Sequence, residues 1–179
     1  MAFARAVAHL FVLVRRTWLY PANIVALSLV ILPLAAPVFL HLGLLDAASL
    51  VYRICGLQCH QLPARSFFLG PYPLGVCERC ISIDGAVLLA GLAYAVWRQP
   101  LRFRLWTPMF LLVAMIPIAI DGGTQLLGWR ESTWWLRVLT GALYGTGLVL
   151  FFYPLLDLLL ARALAEFARA GILETAVRE

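Results

Sequence analysis

Lysine does not occur in these 179 residues, and aspartate and glutamate together number only nine. Charged residues make up 13% of the chain, about half of what a soluble domain carries, so a water-facing surface cannot be built from them. Histidine occurs three times and cysteine four times. So few acids and imidazoles leave little for general acid–base chemistry and argue against a hydrolase. The sequence contains no glycine-rich phosphate loop, no serine–histidine–aspartate set and no nucleic-acid module.

What is there is mostly apolar: 63% of residues are hydrophobic and the mean hydropathy is +0.90. This composition predicts an all-α integral membrane protein. At about 20 residues per span, the chain holds four transmembrane helices and one ordered loop, a single membrane domain over residues 1–179. The net charge of +5 comes from arginine alone. The arginines flank apolar runs, which fits lipid headgroups and topology rather than nucleic acid.

Residues 1–20 read as an interfacial amphipathic helix. At about 100° per residue, Phe3, Val7, Leu10, Phe11, Val14 and Trp18 share one face, with Arg5, His9 and Arg16 opposite. The apolar run continues past Ala35 and Ala36 into Pro37, which favours an uncleaved anchor over a cleaved leader. Spans are expected at 23–45, 81–97, 105–122 and 136–160. Pro33 and Pro37 lie inside the first, and neighbouring helices must meet the hydrogen bonds they forgo. His41, near its far end, reads as an interfacial or packed residue. Trp134 and Trp135 look like an aromatic belt, and Gly141-x-x-x-Gly145 would allow close helix approach. Residues 161–179 read as a cytoplasmic tail helix.

Nine arginines (Arg5, Arg15, Arg16, Arg98, Arg102, Arg104, Arg162, Arg169 and Arg178) fall on one side of these spans and five on the other. That asymmetry predicts a multi-pass protein of the plasma (inner) membrane with both termini cytoplasmic. The Cys/His-rich loop at 46–80 is then extracytoplasmic.

That loop concentrates the chemistry. Cys77-Glu78-Arg79-Cys80 is a C-x-x-C where a loop enters a helix, and a helix N-terminus with nearby arginines stabilises thiolates. Cys55 and Cys59 are four apart, and His60 follows directly. Two cysteine pairs and a histidine in one loop fit a tetrahedral zinc site. Asp84 falls one turn past Cys80. Asp121 and Gln125, at i and i+4, share a face at the mouth of the third span, and Arg137 begins the fourth. Ionisable groups at that depth need partners, so Asp84 or Asp121 is expected to pair with Arg137, Arg79 or Arg65.

The run Cys59-His60-Gln61, Arg65-Ser66-Phe67 and Cys77-x-Arg79-Cys80 resembles a family of bacterial and archaeal membrane proteins with the pattern CHQxxxRSF…CxRC, a domain of unknown function. The later run Asp121-Gly122-Gly123-Thr124-Gln125, with Arg130-Glu131-Ser132, Arg137 and Thr140-Gly141, is similar to the family's second block. The resemblance implies a multi-span membrane protein with a metal or redox site at Cys59, His60, Cys77 and Cys80, and no established activity. Cys55 lies outside the family pattern, and Ile81-Ser82 replaces its usual threonine-glycine.

Several functions remain open at this stage. The first is a metal site, zinc by preference, with Cys59, Cys77 and Cys80 as ligands and His60 or Cys55 as the fourth. A thiol–disulfide oxidoreductase passing electrons to a quinone is the enzymatic alternative, and two structural disulfides are its bland counterpart. Cys55-x-x-x-Cys59-His60 is also a stretched haem-attachment motif. The bilayer is the expected partner; self-association or a place in a larger membrane complex is compatible with the sequence, and nucleic acid is not expected.

Overall fold

The computed structural model describes residues 2–97, 107–170 and 172. The arginine-rich turn with Arg98, Arg102 and Arg104, most of the tail after Ala170, and the side chains of Phe3 and Arg5 lie outside the described residues.

The order of elements is α1 (Ala2–Thr17), α2 (Leu19–His41), α3 (Leu45–Cys55), a 3-10 turn (Pro63–Arg65), β1 (Phe68–Leu69), β2 (Tyr72–Pro73), α4 (Glu78–Val96), α5 (Thr107–Leu126) and α6 (Trp134–Arg169). Four of these, α2, α4, α5 and α6, are long and apolar enough to cross a membrane. The two short strands form an antiparallel hairpin, with Phe68 opposite Pro73 and Leu69 opposite Tyr72. The architecture is therefore all-α with four candidate spans.

Span limits shift by a few residues throughout (α2 begins at Leu19, α4 at Glu78, and α5 runs to Leu126), and two larger differences have physical reasons. Gly43, at φ 73°, ends α2 near His41, and α3 then rises inside the 46–80 stretch expected as loop. This short helix buries Ala48, Val51 and Cys55 at i, i+3 and i+7 while Leu45, Leu50 and Ile54 stay exposed. At the other boundary, the fourth span and the start of the tail are one 36-residue helix. At about 1.5 Å per residue it is about 54 Å long and outruns a hydrocarbon core of about 30 Å.

Small residues set the helix crossings. A Cβ on Gly145 of α6 would sit 2.5 Å from the Ile83 carbonyl oxygen and 3.0 Å from the Ala86 Cβ on α4. One on Gly147 would reach 2.7 Å from Ala114 of α5. In lipid no hydrophobic force draws helices together, so such close approach is how the bundle gains dispersion energy. The Gly141-x-x-x-Gly145 spacing thus works within the chain, between α6 and α4.

At the end of the bundle away from the cysteines, Trp18 Nε1 and Tyr94 Oη both donate to Asp157, at 3.0 and 2.7 Å. Phe11 meets Phe167 at 5.6 Å between ring centres, so α1 folds back along α6. Ala8 and Phe11 of α1 pack, with Trp18 just after it, whereas Leu10 and Val14 of the expected apolar face remain exposed, as does Leu13.

Proline chemistry docks the loop onto this frame. Pro37 has no N–H, so the Pro33 carbonyl lacks its helical donor. The Gly75 N–H supplies one at 2.9 Å. A Cβ on Gly75 would lie 3.0 Å from both the Pro33 Cα and the Cys55 Sγ, so the approach depends on glycine.

Gly145→Leu is expected to lower the unfolding free energy in detergent by about 1–3 kcal/mol through overpacking. Gly85→Ala, where nothing lies within 4 Å of the added Cβ, should leave it unchanged or raise it by up to about 1 kcal/mol. Chemical unfolding of the two variants compares them, and equal effects would show that the α4–α6 approach does not set the packing.

Candidate metal centre

The site begins where the chain leaves α3. The Cys59 N–H returns to the Cys55 carbonyl at 3.1 Å, and Gln61 then reverses the chain at φ 52°. It is the one non-glycine among the described residues with positive φ. That backbone costs about 1–2 kcal/mol for an L-residue, and the Gln61 side chain offsets it. Its Nε2 donates to the Tyr52 and Gly75 carbonyls, both at 2.7 Å. The amide therefore clamps the last turn of α3 to the segment that approaches Cys77.

The reversal also aims the Gln61 N–H at the Cys59 Sγ, at 3.4 Å, and the Cys77 N–H reaches the same sulfur at 3.1 Å. Cys77 is the N-cap of α4, and Cys80 lies one turn inside it. The outcome is one cluster: the sulfurs of Cys59, Cys77 and Cys80 all lie within 4.8 Å of one another. All four cysteines are free thiols.

Hydrogen bonds from the Cys77 thiol, then from Cys80, joined by the Gln61 and Cys77 N–H groups, hold the Cys59 thiol far below its usual value. Donating to Cys59 pushes Cys77 up. Two backbone N–H groups and two neighbouring thiols thus favour negative charge on the Cys59 sulfur.

Cys55 is only 3% exposed. It packs with Ala36, Val51 and Val76 and lies outside the three-sulfur set. Burial pushes its thiol up, and the nearby Cys59 and Asp84 add to that. His60 is exposed and also outside the set.

An ion-pair cluster adjoins the sulfurs. Asp121, 2% exposed, takes bonds from Arg79, from Arg130 at 2.7 Å and from the Ser132 hydroxyl at 2.6 Å. Buried Arg137 donates to buried Glu78 at 2.9 Å. Gln125 donates to Glu131 at 3.0 Å, and Arg65 lies 3.3 Å from Glu131. The expected pairing of Asp121 with Arg79 is present. Asp84 instead accepts from the Gln58 amide at 3.1 Å, and Arg137 meets Glu78, with Glu131 further off at 3.9 Å.

Sequence reasoning named Glu78, Arg130 and Glu131 within motifs but gave them no partners, and it did not find the Gln61 clamp. The rule that a charge at a helix mouth needs a partner would have found Glu78, which sits inside the C-x-x-C. A cavity of about 350 Å³ opens beside the cluster, and Cys59, Cys77, Cys80, Arg65, Arg79 and Arg137 are in its lining.

Fold and site together define a class: a four-span membrane protein with three clustered thiols at one end of its bundle. Residues 59–151 match the family described as predicted membrane protein (DUF2085), and the chain belongs to that family. The match includes the three clustered cysteines and leaves out Cys55. An uncharacterized protein of Methanocaldococcus jannaschii is 36% identical over 125 residues, spanning 67% of this chain and 80% of the relative. Another from Methanothermobacter thermautotrophicus is 37% identical over 103 residues, spanning 57% and 90% respectively. No solved structure matches.

Removing the charge of Glu78 would strand a buried guanidinium, so Glu78→Gln is expected to cost about 3–5 kcal/mol of stability. Arg65→Gln, at a pair whose acid is exposed, should leave stability unchanged within error. Unfolding in detergent measures both, and a neutral Glu78→Gln would show that the pair does not secure the start of α4.

Proposed function

We propose that the protein is a membrane-anchored metal-binding protein in which Cys59, Cys77 and Cys80 hold one thiophilic divalent cation, zinc fitting best. The observation that carries this reading is the convergence of three sulfurs within 4.8 Å, with two backbone N–H groups aimed at one of them. Zinc–thiolate bonds of about 2.3 Å in a tetrahedron put sulfurs about 3.8 Å apart. The cluster therefore closes on an ion with shifts of about an ångström or less.

Charge supports the same reading. Three thiolates and a dication carry one net negative charge. The adjoining cluster has four arginines (Arg65, Arg79, Arg130 and Arg137) against three acids (Glu78, Asp121 and Glu131), a surplus of one positive charge. The arginine distribution along the chain supports a plasma-membrane setting with both termini cytoplasmic and the metal on the extracytoplasmic side.

A second reading, thiol–disulfide exchange with a quinone, is favoured by one feature. Cys77 and Cys80 form a C-x-x-C at the start of α4 and hydrogen-bond to the thiolate-prone Cys59. Haem attachment fares worse, because Cys55 is wedged between Gly75 and the apolar cluster with no room for a porphyrin thioether.

Elemental analysis of protein purified in detergent should find one metal ion per chain. Cys59→Ser and Cys80→Ser should each abolish binding, while Cys55→Ser and His60→Ala retain it. Gln61→Ala, which releases the clamp, should weaken affinity about 10–100-fold, as loss of groups supporting a ligand does. Metal-free parent protein with Cys77 and Cys80 oxidised to each other would replace this reading with the second.

A further inference from the structure

We propose that the fourth corner of the metal site is filled from the cavity by a small oxyanion, a carboxylate being the simplest, so that the centre is an anion receptor rather than a closed structural knot. This rests on the metal reading above.

Structural zinc sites are closed by four protein donors, whereas sites that exchange ligands keep three. Among the described residues, Cys59, Cys77 and Cys80 have no fourth cysteine, histidine or carboxylate donor within their 4.8 Å set. The protein donors in the neighbourhood, Asp84, His60 and Cys55, lie outside that set, and Asp84 accepts from Gln58 at 3.1 Å. The sharp bend that would let His60 join Cys59 on one ion is the Gln61 reversal, and here it delivers the Gln61 N–H to the Cys59 sulfur and leaves His60 exposed. Cys55 shares an apolar cluster with Cys59 that Cys77 and Cys80 border, but its sulfur lies outside the three-sulfur set.

What adjoins all three sulfurs is the cavity of about 350 Å³, which His60 also lines although its ring lies outside the three-sulfur set. A water's share of liquid volume is about 30 Å³, so an acetate-sized ligand fits with room to spare. Its lining decides the sign of that ligand. A dication on three thiolates is already net negative, and adding an anion would be opposed in a neutral pocket. The surplus of one arginine over the acids only brings the loaded centre to neutrality, so an added anion needs a guanidinium in the lining that can leave its own acid.

The three guanidiniums in the lining are not equivalent. Arg79 and Arg137 are committed to Asp121 and Glu78. Arg65 is a third exposed, and its acid partner Glu131 is 76% exposed at 3.3 Å, a pair worth little in water. Arg65 is therefore the cation free to turn toward an incoming anion, and a guanidinium can grip a carboxylate with two hydrogen bonds.

The test uses full-length protein in detergent loaded with cobalt(II), a zinc surrogate. Its thiolate-to-metal charge-transfer band reports that the cysteines hold the ion, and its ligand-field bands report the fourth donor. Titration with acetate should shift the ligand-field bands saturably and leave the charge-transfer band intact, while the neutral isostere acetamide should do nothing. Arg65→Gln should weaken the acetate effect about tenfold or more, the worth of one charge-assisted hydrogen bond. His60→Ala should leave the cobalt spectrum unchanged.

A charge-transfer band with ligand-field bands blind to acetate would overturn the inference and leave the metal reading standing. So would a spectrum altered by His60→Ala or Cys55→Ser, which would show that a protein donor closes the site. If cobalt gives no charge-transfer band, the metal reading itself fails and this inference goes with it.

Discussion

Three sulfurs held within 4.8 Å are first of all a charge problem. As thiolates they repel one another at close range. As thiols they can only pass their protons around, which is what Cys77 and Cys80 do in donating to Cys59. The arrangement persists because the backbone holds it. Gly75 is fixed to α2 through the carbonyl that Pro37 leaves without a donor. Gln61 ties the end of α3 to Gly75, and Cys77 is pinned as the N-cap of α4. A cation among the sulfurs turns this enforced crowding into attraction.

The bundle beneath is built to keep the crowded end still. Close α4–α6 packing at Gly141 and Gly145 fixes the start of α4, where Cys77 and Cys80 sit, against α6, which carries Arg137. The Glu78–Arg137 bond then joins the same two helices with charges. Asp121 draws α5 in through Arg79 and also binds Ser132 and Arg130 in the connection to α6. At the opposite end, Asp157 with Trp18 and Tyr94 ties the junction of α1 and α2 to α4 and α6. Each end thus has a polar lock, and only one of them carries sulfur.

How much of this was legible beforehand follows from what each feature depends on. The four spans depend on long apolar runs, which a single sequence displays. The meeting of Cys59 with Cys77 and Cys80 follows from motif spacing and a shared loop, and the Asp121–Arg79 pair from the cost of a lone charge at a helix mouth. The short helix α3 was hidden because it is too brief for a span and leaves leucines exposed, so it reads as loop. The Gln61 clamp was hidden because its targets are two distant backbone carbonyls, which leave no trace in residue type. Asp157 could have been suspected as an acid inside an apolar run, but its partners come from other helices.

X-ray absorption at the zinc edge of the purified, metal-loaded protein tests the central claim most directly. A first shell of three sulfurs at about 2.3 Å with one lighter oxygen or nitrogen donor is what the three-thiol cluster beside an arginine-lined cavity predicts. A shell of nitrogen and oxygen alone, or one with a single sulfur, would contradict it.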